Sequence, residues 1–127
     1  MTDIDTLIRN HEWRDVNLHL RKGEYKEHYV EWAKHGCYEL RKLLAYNGHC
    51  PEILIHDTSE SIRLMVAEKY PKYYYQLIQH PTEKELRRIF AHLMSQVELD
   101  KTLFQKFLDI IEKTGGAGNL CNDYYKH

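Results

Sequence analysis

A six-residue pattern recurs three times along this chain, and its spacing limits what the chain can fold into more than any single residue does. The copies are Leu40-Arg41-Lys42-Leu43-Leu44-Ala45, Ile62-Arg63-Leu64-Met65-Val66-Ala67 and Leu86-Arg87-Arg88-Ile89-Phe90-Ala91. Each reads aliphatic, Arg, two variable positions, apolar, Ala, and the starts lie 22 and 24 residues apart. A fixed period of this length marks stacked units, each of which buries its apolar face only against its neighbours.

Every copy sits in a helical pattern. Leu40, Leu43, Leu44 and Asn47 fall at i, i+3, i+4 and i+7, with Glu39, Arg41 and Lys42 around them. Ile62, Met65 and Val66 form the second stripe, and Leu86, Ile89, Phe90 and Leu93 the third. The Ala that ends each copy is a small residue where a neighbouring helix can approach closely. Shorter apolar runs follow the first two copies, at Ile53-Leu54-Ile55 and Gln76-Leu77-Ile78. Gly48 reads as the residue after a helix end, and Pro51 and Pro71 as first-turn residues. Thr82 with Glu85 spells a capping box, and Thr58 or Ser59 is placed to cap the helix holding Ile62. Leu44, Val66 and Phe90 are expected in the core.

The register, together with the Leu-Ile-x-Asp stop before the second copy, resembles the short helical repeats of the HEAT-like and variant leucine-rich-repeat families over residues 38–92, with looser continuation to about 112. The resemblance implies an all-α, right-handed α-solenoid of short helix pairs with irregular capping helices. It also implies that the Asp of an inter-unit turn pairs with the Arg of the following helix, as Asp57 precedes Arg63; the next turn has His80-Pro81 in that place. The expected organisation is a single domain over 1–114 and a flexible Gly-rich tail over 115–127. Helical patterns at 3–10, 12–22 and 25–36, stopped by Gly23 and Gly36, and an amphipathic helix through Leu103, Phe107 and Ile111 supply the irregular ends.

Net charge is −1 and the two signs alternate along the chain, which argues against a dedicated nucleic-acid binder. The three cysteines have no paired spacing, so a reducing cytoplasm is expected rather than a disulfide scaffold. No apolar stretch approaches the roughly 18 residues that spanning a bilayer needs, and no signal-peptide pattern is visible. His35, Cys37, His49, Cys50 and His56 lie close in sequence, yet their spacing suits helix ends better than a zinc site. No elbow surrounds Cys37, Cys50 or Cys121, and no glycine-rich phosphate loop occurs.

The expected function is therefore non-catalytic, without cofactor or metal: a cytoplasmic module of adaptor or inhibitor type, of a kind plausible in bacteria and phages, that binds a protein. Its candidate contacts are Tyr70, Tyr73, Tyr74 and Tyr75, since three successive rings on a helix cannot all face the core. Arg41, Arg63 and Arg87, at equivalent repeat positions, join them. The alternatives are a HEAT-like nucleic-acid binder using the repeated Arg and Tyr residues, and an enzyme or metal protein built on the His/Cys region.

Overall fold

The computed structural model describes residues 3–114. The tail expected to be flexible at 115–127, and Cys121 within it, lie outside the described residues. Among the described residues the chain is helical without a strand. It divides after Pro71 into two compact units.

The first unit runs α1 (Ile4–Arg9), α2 (Trp13–Arg21), α3 (Tyr29–His35), α4 (Tyr38–Tyr46), the single-turn α5 (Pro51–Leu54) and α6 (Glu60–Lys69). Its centre is α4, which packs on α2, α3, α5 and α6. Leu40 and Leu44 of α4, Ile62 and Val66 of α6, and Val16 and Leu20 of α2 form the buried core. Ala45 and Ala67, at 2% and 0% exposure, are pressed against neighbours, as a small residue permits.

Three helix ends in this unit, those of α1, α2 and α4, share one device. After α2 the Gly23 N–H reaches the Leu20 carbonyl and the Glu24 N–H the His19 carbonyl. After α4 Gly48 reaches Ala45 and His49 reaches Leu44. These are Schellman ends, with glycine at φ +76° and +78° in the left-handed position that favours it. After α1 the same pair of bonds forms from His11 to Ile8 and from Glu12 to Leu7, with His11 at φ +57°.

Asp57, in the turn between α5 and α6, holds that turn together. Its carboxylate accepts from Arg41 Nε at 2.8 Å and from the Ser59 N–H at 2.8 Å, while its carbonyl accepts from Arg63 at 2.7 Å. Arg41 also donates to the Gly36 carbonyl at 2.9 Å, tying in the end of α3. The family resemblance implied a pairing of Asp57 with Arg63; here the carboxylate takes the arginine of the preceding helix, and Arg63 takes the backbone oxygen. Ser59 occupies the N-cap position of α6 without a side-chain cap bond, and its N–H donates to Asp57.

A 3-10 turn at Pro71–Tyr73 leads into the second unit, which holds the single-turn α7 (Tyr74–Leu77), then α8 (Glu83–Ser95) and α9 (Lys101–Thr114). The Thr82–Glu85 capping box forms in full, with bonds of 3.1 and 2.9 Å. Leu86, Ile89, Phe90 and Leu93 of α8 meet a core to which α9 contributes Leu103, Phe107 and Ile111, and the Phe90 and Phe107 rings stack 5.6 Å apart.

Candidate binding groove on the first unit

The apolar stripes of α2, α4 and α6 are wider than the core they fill, and the surplus lines a groove. On α2, Val16 and Leu20 point inward, so Trp13 and Asn17, four residues apart, fall together on the flank with Arg14. On α4, Leu40 and Leu44 are buried, and Lys42, Leu43 and Tyr46 line the opening. Met65 closes it from α6. Leu43 and Met65 hold the same fourth position of the hexapeptide, so the repeat itself supplies the half-buried aliphatic floor. The groove encloses about 380 Å³. Tyr46, at 58% exposure, is its most accessible ring.

Every side-chain polar group on this lining that can be oriented is a donor. Arg14 and Lys42 are cations, and among the described residues no carboxylate lines the groove. The Asn17 amide is oriented by a chain of bonds. The Leu43 carbonyl can only accept, so Asn47 turns its NH2 to it at 2.8 Å; the same NH2 then meets Asn17 Oδ1 at 2.8 Å, which leaves Asn17 its own NH2 to offer. Lys69 closes over the Tyr46 ring at 5.8 Å and donates to the Tyr46 carbonyl at 2.9 Å, adding a third cation beside the groove.

Trp13 is braced from behind. The His11 ring stacks on it with centroids 5.6 Å apart and planes 13° from parallel. The other two Schellman ends of this unit use glycine, whereas His11 holds a left-handed backbone that costs an L-residue about 1–2 kcal/mol. Tyr25 and Cys50 share this trait at φ +65° and +50°. Strain of this kind persists where the surroundings impose it, and at His11 it delivers a ring to the wall of the groove.

The residues singled out from sequence are divided between the two units, Arg41, Arg63 and Tyr70 in the first and Tyr73, Tyr74, Tyr75 and Arg87 in the second. Arg41 and Arg63 turn to Asp57. Arg87 pairs with Glu83 at 2.6 Å on the exposed face of α8. Tyr70 donates its hydroxyl to the Gly48 carbonyl at 3.0 Å, latching the end of α6 to the turn after α4. Tyr74 is 4% exposed and stacks on His92 in the core of the second unit. Tyr73 and Tyr75 are half-buried. Tyr75 donates to Asp100 Oδ2 at 2.6 Å and lines a second, smaller groove of about 320 Å³ with Ile78, Lys106 and Asp109. That groove carries both charge signs.

Of the His/Cys region, His35, Cys37 and His56 are exposed, while His49 and Cys50 are half-buried. The His49 ring lies 4.5 Å from Tyr29 and its Nε2 meets the Leu20 carbonyl at 2.7 Å. Burial, with the Glu52 charge behind it, pushes the Cys50 thiol up, away from the reactive thiolate form. Among the described residues no group of three His, Cys, Asp or Glu side chains is placed to hold a metal. No helix there is long and apolar enough to cross a membrane.

Trp13, Lys42, Leu43, Tyr46 and Met65 escaped sequence reasoning as site residues because they meet only through tertiary packing. The signal was present in one form: Leu43 and Met65 sit at matched repeat positions. Comparison with protein-family models, with curated proteins and with solved structures finds no match for this chain.

Proposed function

We propose that this chain is a non-catalytic module that binds a protein partner, and that the groove between α2, α4 and α6 is its contact surface. The carrying observation is the lining: an aromatic and aliphatic floor rimmed by donors, with no acceptor of negative sign among the described residues. It fits a segment of a partner that offers apolar side chains next to carboxylates. An aliphatic floor of Leu43 and Met65 suits branched side chains better than the flat face of a base, which favours protein over nucleic acid. The matched use of the hexapeptide in α4 and α6 supports a HEAT-like repeat as the scaffold, working as a cytoplasmic adaptor or inhibitor in solenoid fashion.

The test is quantitative capture of partners by the wild-type chain beside Tyr46→Ala and Lys42→Glu. Both residues are exposed, so the thermal midpoint should hold. Affinity for a true partner should fall about tenfold or more with Tyr46→Ala. Equal capture by all three proteins moves the contact surface elsewhere, and tight, salt-sensitive retention of duplex DNA or RNA replaces the protein partner with nucleic acid.

A further inference from the structure

The chain carries a segment of the chemistry its own groove accepts. Between α8 and α9 lies Val97-Glu98-Leu99, and Val97 is 108% exposed, touching nothing that shields it. Leu99 is 37% exposed and Glu98 is exposed between them. Apolar, acidic and apolar side chains thus project in succession from a short connection whose own length gives them nothing to fold against. A solvent-facing loop has no physical need of Val and Leu here, since polar residues make the same turn without exposing hydrocarbon.

The loop is clamped at both ends. The Asp100 N–H donates to Gln96 Oε1 at 3.3 Å. Asp100 then spends its two carboxylate oxygens, Oδ1 on the Leu103 N–H at 3.1 Å and Oδ2 on the Tyr75 hydroxyl at 2.6 Å. Gln96 caps the end of α8 through its N–H to the Leu93 carbonyl. The three projecting residues are held as a preformed knob, and docking them freezes little that is free.

We propose that this knob seats in the groove of a second copy of the chain. Val97 and Leu99 meet the floor made by Leu43, Tyr46 and Met65, and Glu98 meets the cations Arg14 and Lys42. The complementarity is twofold: exposed hydrocarbon meets an apolar floor, and a carboxylate meets a rim whose described residues are donors without a carboxylate. Knob and groove are different surfaces, so the contact is head-to-tail. Such a contact leaves one knob and one groove open after each addition and grows into a chain unless its rotation closes a ring. The contact is small, and weak, concentration-dependent association is expected. The proposal rests on the groove being a binding surface, as argued above.

Sedimentation of the full chain over a wide concentration range, from low micromolar upward, tests it. The wild type should gain mass with concentration. Val97→Asp, a knob variant at a fully exposed position, and Lys42→Glu with Tyr46→Ala, a groove variant, should each stay monomeric, with Kd raised at least about tenfold. Mixed together, the two variants retain one good groove and one good knob, and should form a one-to-one dimer that grows no further. A wild type that stays monomeric throughout overturns the proposal, as does association that survives in both variants or a mixture that forms no dimer. A monomeric wild type that still captures a foreign partner through Tyr46 sinks the self-association alone. Loss of that Tyr46 dependence while the mixed dimer forms sinks the foreign partner alone.

Discussion

Copies of one hexapeptide are put to different uses in the two units. In α4 and α6 the arginine at the second position turns to Asp57, the alanine at the sixth is buried, and the fourth residue is half-buried at the groove. In α8 Arg87 pairs with Glu83 in solvent, Ala91 is exposed, and Ile89 at the fourth position is fully buried. Only the first and fifth positions behave alike, since Leu40 and Leu44, Ile62 and Val66, and Leu86 and Phe90 are all buried. Those two define the amphipathic stripe, which any helix on a core requires. The arginine and alanine positions take their meaning from what a neighbouring element offers.

The sharpest way to break this contrast is to remove the acceptor. Asp57 and Arg41 are 5% and 19% exposed at the side chain, so each deletion strands a poorly solvated partner. Asp57→Ala and Arg41→Ala should each cost about 3 kcal/mol or more in chemical denaturation. Arg87→Ala should stay within about half a kcal/mol, as exposed pairs do. Equal losses at Arg41 and Arg87 would erase the distinction between the units.

A second comparison enlarges the alanines. Ala45→Leu and Ala67→Leu should destabilise by about 1–3 kcal/mol through overpacking. Ala91→Leu should leave the thermal midpoint nearly unchanged, because its side chain has solvent to enter. A matching drop at Ala91 would mean that α8 packs its sixth position as α4 and α6 do.

The smallest effect belongs to the Tyr75–Asp100 pair. The Tyr75 hydroxyl, and next the Leu103 N–H, hold the Asp100 carboxyl below the usual carboxylate range, and the same hydrogen bond to Asp100, ahead of burial, raises Tyr75. For Asp100 the stabilisation is present above the unfolded value near 4 and is lost as pH falls through its lower folded value. For Tyr75 the contribution is present below the unfolded value near 10 and is lost as pH rises through its higher folded one. Tyr75→Phe should shrink the acid-side slope of stability against pH and remove the Tyr75 part of the alkaline one. An unchanged acid slope would show that the bond is idle in solution.

Local chemistry was legible in the residues. Thr82 with Glu85, Pro51 at a first helical turn and Gly48 beyond a helix end each act through partners three or four positions away, and each stands where the spacing placed it. Long-range choices were not legible. Nothing around His11 marks a left-handed residue, because glycine, the usual sign, is absent and a ring supplies the reason instead. Asp57 had two arginines within reach, and the choice of Arg41 for its carboxylate depends on how α4 crosses α6. Tyr74 is buried between two half-buried tyrosines because the chain passes from a 3-10 turn into a single helical turn there. Periodicity alone does not resolve so short an element.

The double grip of Asp57 bears on how the first unit comes apart. One residue offers its carboxylate to α4 and its carbonyl to α6, so neither helix can leave without disturbing the acceptor of the other. Opening the turn after α5 releases both arginines at once. The amides of α4 and α6 therefore belong to a single cooperative opening unit, exchanging with solvent deuterium in step, and the floor of the groove appears or vanishes as a whole.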